Sequence, residues 1–262
     1  MRTVLLLLLA FPPFSAPAQL VYSENFVVLL DSTRRFKGSF TPELRVQTQA
    51  ALLVELTSLA DLVFRWGEGT LTVAQLTEFT AVGGEAALDA GYFFLKWKNH
   101  QASDWMPEYT GEIQWADARG MPFKAAVGMN LRHAVFRDPR RGLFVGAGIL
   151  YEIEHWNFSA VPPERLPADA APVRRRSTKF NTYLSLKRWL GRRLFFDGSA
   201  YYQARLATLL RTPRLAASVA LAWQFTDYLQ LGIQHQALYD FAPVVPVDPW
   251  FHRFTAAFTL SF

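Results

Sequence analysis

The sequence predicts an all-β chain, a transmembrane antiparallel up-and-down β-barrel of about 12 strands, and three observations carry that prediction. Polar and apolar residues segregate by parity over segments of about ten residues, as they must where successive side chains point alternately to lipid and to lumen. The chain is 51% hydrophobic and 15% aromatic, with 22 Phe, 9 Tyr and 8 Trp. Beyond its N-terminal stretch, however, it holds no apolar run approaching the roughly 20 residues that a membrane-spanning helix needs. Connections between the segments alternate long and short, the pattern of a barrel whose two ends lie on one side of the membrane.

Met1-Arg2-Thr3 followed by Val4 to Ala10 forms a short basic start and an apolar core, and Ala16-Pro17-Ala18 fits a small-x-small cleavage site. Residues 1–18 are therefore expected to be a cleaved secretory signal peptide, and 19–262 one barrel domain. The apolar run stops at Pro12-Pro13, too early for an anchor.

Strands are expected at 35–47, 51–66, 69–80, 86–98, 105–118, 123–136, 142–157, 177–189, 192–207, 214–226, 228–240 and 250–262. In the first, Phe36, Gly38, Phe40, Leu44 and Val46 oppose Lys37, Ser39, Thr41, Glu43, Arg45 and Gln47, with Pro42 on the apolar parity. The segments at 69–80 and 86–98 alternate less cleanly, since Phe93 and Leu95 are expected to spoil the inward face. Around 215–226, Leu215, Ala217, Val219, Leu221, Trp223 and Phe225 oppose Ala216, Ser218, Ala220, Ala222, Gln224 and Thr226. In the last segment His252, Phe254, Ala256, Phe258, Leu260 and Phe262 share one parity, and only the histidine breaks its apolarity. An aromatic at the end of such a strand is the assembly signal of outer-membrane barrels, which assigns that role to Phe262 and implies the barrel-assembly machinery as a partner. The longest connections, 158–176 with Pro162-Pro163 and 241–249 with three prolines, both follow odd-numbered strands, whereas Leu190-Gly191-Arg192 and Thr226-Asp227 form tight turns at the other end. Trp66, Trp97, Trp156, Trp189 and Trp250 fall near strand ends, where an interfacial girdle places amphipathic rings.

Composition removes several functions. There is no cysteine, hence no disulfide, thiolate metal site or thiol nucleophile. With 27 basic and 22 acidic side chains the net charge is a mild +5, scattered along the chain, and no nucleic-acid footprint is indicated. The exception is Arg174-Arg175-Arg176, read as an outer-loop basic patch suited to lipopolysaccharide phosphates, since arginine pairs bidentately with phosphate. His133, His155, His235 and His252 take the lipid-facing parity and His100 a turn, so no histidine is expected beside a nucleophile, and no metal or other cofactor is called for. Gly146-Ala147-Gly148 lacks the third glycine and following helix of a phosphate loop and reads as strand glycines that make room for large neighbours.

The distinctive set is charged and points inward: Lys37, Glu43, Arg45, Glu55, Asp61, Glu112, Lys124, Arg132, Glu152, Glu154, Lys187, Asp197 and Arg205. Of these, Lys124, Arg132, Glu152, Glu154, Asp197 and Arg205 are the expected lumen network, pairing across the interior or lining a narrow pore.

Phe36-Lys37-Gly38-Ser39, Leu88-Asp89-Ala90-Gly91-Tyr92, Phe123 to Asn130 and Val145-Gly146-Ala147-Gly148-Ile149-Leu150-Tyr151-Glu152-Ile153-Glu154 together resemble the bacterial outer-membrane family of unknown function 481, which includes salt-induced outer-membrane proteins. Asp89 stands where that family's motif has asparagine. The resemblance implies an outer-membrane barrel and no established activity. The expectation is thus a non-enzymatic barrel of the bacterial outer membrane, a narrow pore or an envelope structural and stress component, in contact with lipid and lipopolysaccharide. Two other readings are a barrel lipid hydrolase or lipopolysaccharide-modifying enzyme, and surface binding through the 158–176 loop.

Overall fold

A computed structural model describes residues 35–48, 52–99, 104–138, 140–226 and 229–260. The expected signal peptide, His100 and Phe262 lie outside the described residues. Twelve strands follow one another: β1 (Phe36–Thr48), β2 (Leu52–Trp66), β3 (Gly69–Val82), β4 (Glu85–Asn99), β5 (Trp105–Ala116), β6 (Met121–Asp138), β7 (Arg141–Trp156), β8 (Val173–Trp189), β9 (Leu194–Arg205), β10 (Arg214–Gln224), β11 (Leu229–Asp240) and β12 (Trp250–Leu260). Each pairs antiparallel with the next, so the sheet order is the chain order from β1 to β12.

Parity becomes geometry along every ladder. On β10, Leu215, Val219, Leu221 and Trp223 are exposed while Arg214, Ala216 and Ser218 are buried, and on β6, Val127, Met129 and Leu131 stand out where Lys124, Asn130 and Arg132 turn in. The outer face is consequently a belt of large apolar side chains, with Val127 at 61% and Phe40 at 65% exposure, wrapped around a polar and charged interior. The sheet curls tightly enough to bring distant strands together across that interior. Arg253 on β12 reaches Glu78 on β3 at 2.8 Å, and the Arg119 guanidinium, in the turn after β5, lies 4.8 Å from the Phe251 ring on β12. Among the described residues no helix is long and apolar enough to cross a membrane.

The connections 157–172, 206–213 and 241–249 leave from one end of the sheet, and the turns 67–68, 139–140 and 190–193 from the other. These are called the long-loop end and the turn end below. Trp66, Trp105 and Trp223 stand exposed at the turn end, and Trp250 at the long-loop end.

Three expectations need correction. Phe93 and Leu95 do not spoil an inner face: both are about half exposed, and it is Phe94 and Lys96 that turn in, so β4 alternates as cleanly as its neighbours. Trp156 does not join the girdle. It takes the inward parity of β7 and is 1% exposed, because the loop that follows folds back over it. Finally, Arg174, Arg175 and Arg176 are not in a loop. β8 begins at Val173 and pairs Arg174, Arg175 and Arg176 with His155, Glu154 and Ile153 of β7, since an arginine facing an inward glutamate extends the ladder instead of fraying it.

Candidate functional site: a layered charged lumen

The inward residues stack in rows set by the strand register. Nearest the long-loop end, Lys124 on β6, Glu154 on β7 and Arg175 on β8 share one row. Glu154 accepts both Nε and Nη2 of Arg175, at 3.0 and 2.7 Å, and Nη2 of Arg214 at 3.1 Å. One row below, Glu152 takes Lys179 in a short ion pair, Lys124 at 3.3 Å and Arg214 at 3.6 Å. Lys124 also reaches Glu112 at 2.8 Å, and Arg214 donates to Asp240 at 3.0 Å. Four carboxylates (Glu112, Glu152, Glu154, Asp240) thus face four cations (Lys124, Arg175, Lys179, Arg214), a set that balances in charge.

Arg214 is the hinge of this layer. It opens β10, sits beside Asp240 in the register with β11, and crosses the lumen over two intervening strands to reach β7. Burying these ions costs several kcal/mol each unless partners and hydrogen bonds offset it, and here each partner carries the opposite sign. Glu152 is 0% exposed and Lys124 1%.

Below Glu152, the stretch of the next row on β6 to β9 is neutral, between Glu108 on β5 and Arg214 on β10. Asn181 donates to Asn130 at 3.0 Å and Gln203 to Asn181 at 3.1 Å, with Gly148 in the same row between β6 and β8. The next group, toward the turn end, is built differently. Glu108 on β5 is fully buried and is approached by Lys96 at 3.3 Å, Lys98 at 3.6 Å and Arg132 at 3.2 Å, and it accepts the Tyr183 hydroxyl. Arg132 lies 3.9 Å from the Phe144 ring centroid and Lys96 5.5 Å from that of Tyr183, so aromatic faces supply part of the compensation that carboxylates supply above. Gly146 makes this possible: a Cβ there would fall 2.2 Å from the Tyr183 ring, which occupies the space.

Apolar side chains from two loops pack together at the long-loop mouth. Val161 from the 157–172 loop and Val245 and Val247 from the 241–249 loop pack with Trp156, Met121 and Ala116, and Phe158 and Val244 lean against them. The turn between β5 and β6 holds the first loop in place. Asn157 donates its N–H to the Gly120 carbonyl at 2.8 Å, and Gly120, at φ 69°, sits where a side chain would meet the Asn157 carbonyl at 2.7 Å. The wall formed by β1 to β3 is more open, with a cavity of about 180 Å³ bordered by Glu43, Arg45, Glu55, Thr57 and Glu78, and with Arg45 bound to Glu55 at 3.1 Å.

Of the six expected network residues, Lys124, Glu152 and Glu154 form the balanced layer, and Arg132 belongs to the Glu108 group. Asp197 pairs separately with Lys187 near the turn end. Arg205 is not part of any of these groups: at the last position of β9 it reaches only far enough to donate to Thr212 in the following loop, at 3.3 Å. Seven members were missed: Arg175 because it was placed in a loop, and Lys96, Lys98, Glu108, Lys179, Arg214 and Asp240. Arg214 shares parity with Ala216 and Ser218, and Asp240 with Leu238 and Gln236, so extending each alternation to the strand end would have found them.

The four described histidines face outward among aromatic rings. His133 stacks 4.3 Å from Trp105, His155 lies 5.3 Å from Phe123, and His252 sits between Trp250 and His235 at 5.4 and 5.6 Å. Asp89, at the position where the resembled family has asparagine, accepts the Trp115 indole N–H at 2.7 Å. Among the described residues no group of three or more His, Asp or Glu is placed to hold a metal ion.

No family model matches the chain, and no curated protein matches it. Among solved structures, the NanC porin superposes with a TM-score of 0.45 at 10% identity, over 87% of this chain and 98% of that one.

Proposed function

We propose that the chain is a non-enzymatic outer-membrane barrel working as a narrow ion pore that is shut at its long-loop mouth. The observation that carries this reading is the apolar plug lying directly over a buried, charge-balanced layer. A wide solute channel needs a wet lumen, in which Glu108, Glu152, Lys96 and Lys124 would be hydrated rather than almost wholly buried. Membrane seating is supported by the continuous outward belt, because a monomer in water rarely exposes apolar surface on that scale.

The test is planar-bilayer recording on refolded protein beside the variant Val161→Asp/Val245→Asp, which puts two charges into the plug. The intact chain is expected to show rare, small conductance steps and the variant sustained ones. Large sustained conductance from the intact chain would overturn the plug. Silence from both would leave an envelope structural role in place of the pore.

A further inference from the structure

The outward face of β4 to β7 carries a feature that the lumen does not use. The ladders place Phe93, Ile113, Ala125, Ile153 and Arg176 in one cross-strand row. Two small residues hollow out this otherwise bulky surface: Ala125, and Gly111 in the neighbouring row, where an added Cβ would meet nothing within 4 Å. A groove of about 490 Å³ opens there, walled by apolar side chains of which Phe93 and Val127 are among the most exposed of the belt.

The groove has a charged end. Its row terminates on β8 at Arg176, and the row above, toward the long-loop end, runs through Phe123 and His155 to Arg174. Arg174 and Arg176 are both exposed on the outward face, while Arg175 between them turns inward to Glu154. Two guanidinium groups at the rim of an apolar belt favour an anion that arrives with hydrocarbon attached, and guanidinium binds phosphate oxygens in a bidentate fork. Free phosphate would satisfy the arginines and leave the groove empty. A neutral lipid would do the reverse.

We propose that the groove holds one acyl chain of a phosphorylated glycolipid of the outer leaflet, lipopolysaccharide, with Arg174 and Arg176 gripping its phosphate. The inference rests on the membrane seating proposed above.

The test counts lipid retained by the refolded barrel in native mass spectrometry, with purified lipid A, dephosphorylated lipid A, phosphatidylglycerol and inorganic phosphate as probes. Protease protection in vesicles reports insertion separately for every variant. One lipid A per barrel is expected, with roughly tenfold weaker retention in Arg174→Gln/Arg176→Gln, in Gly111→Trp and in Ala125→Leu, and for the dephosphorylated form. Inorganic phosphate is expected not to displace the lipid. Unchanged retention in the groove-filling variants, displacement by inorganic phosphate, or equal retention of phosphatidylglycerol would each overturn the site. A wild-type chain that failed to insert would overturn the membrane reading itself, whereas one that inserts and retains no lipid overturns only this inference.

Discussion

The two charged layers of the lumen solve one problem in opposite ways. Toward the long-loop end, four carboxylates and four cations interlock through Arg214, and apolar side chains of two loops pack at the same end. Toward the turn end, one carboxylate, Glu108, holds three cations, and the rings of Tyr183 and Phe144 supply the remaining favourable surface. A balanced network loses when either sign is removed. A network with three cations on one acid loses when the acid goes and tolerates the loss of a cation, because two others still face the same carboxylate.

Arg214→Met should have the largest effect, about 5 kcal/mol at the upper end for breaking a buried ion pair, since it takes the guanidinium from Asp240 and one cation each from Glu152 and Glu154. Urea unfolding of the barrel in lipid vesicles measures it, and a loss under 1 kcal/mol would show that the upper layer is not held by that residue. Glu108→Gln should cost about 3 kcal/mol in the same assay: the amide keeps a hydrogen-bond acceptor for Tyr183 but removes the carboxylate charge that Lys96, Lys98 and Arg132 share. Lys98→Met should cost less than about 1 kcal/mol, the smallest of the three, because Lys96 and Arg132 still face Glu108. Were Lys98→Met as damaging as Glu108→Gln, the two layers would not differ in kind.

Much of this molecule was legible from parity alone. Strands placed from alternation fall within a few residues of those observed, even at β4, where Phe93 and Leu95 were read as inward and face outward. A period of two allows only two faces, and a one-residue slip would have moved every side chain of β4 to the wrong one. Lys124, Arg132, Glu152 and Glu154, inward charges on long, regular strands, were found for the same reason, although Lys96, Glu108 and Lys179 within β4, β5 and β8 were passed over. Residues at strand ends were harder, because alternation has no neighbours there to confirm it. Arg175, Arg214 and Asp240 lie at such ends, and Arg205, equally terminal, was assigned to the lumen and instead turns to Thr212. Trp156 was misplaced because proximity to a strand end cannot tell a lipid-facing ring from one that a returning loop will cover.

What the sequence by itself determined is which face of each strand is apolar, how many strands there are and which end carries the long connections, for these follow from local period and local chain length. The tertiary structure alone decided which charges meet. Arg214 and Glu154 are 60 residues apart, and Arg253 and Glu78 are separated by 175, so each contact depends on the curl of the whole sheet and on the stagger of every ladder between the partners. The plug and the outward groove belong to the same class. Both arise where small or apolar residues from several strands and loops converge, and no single segment carries their signature.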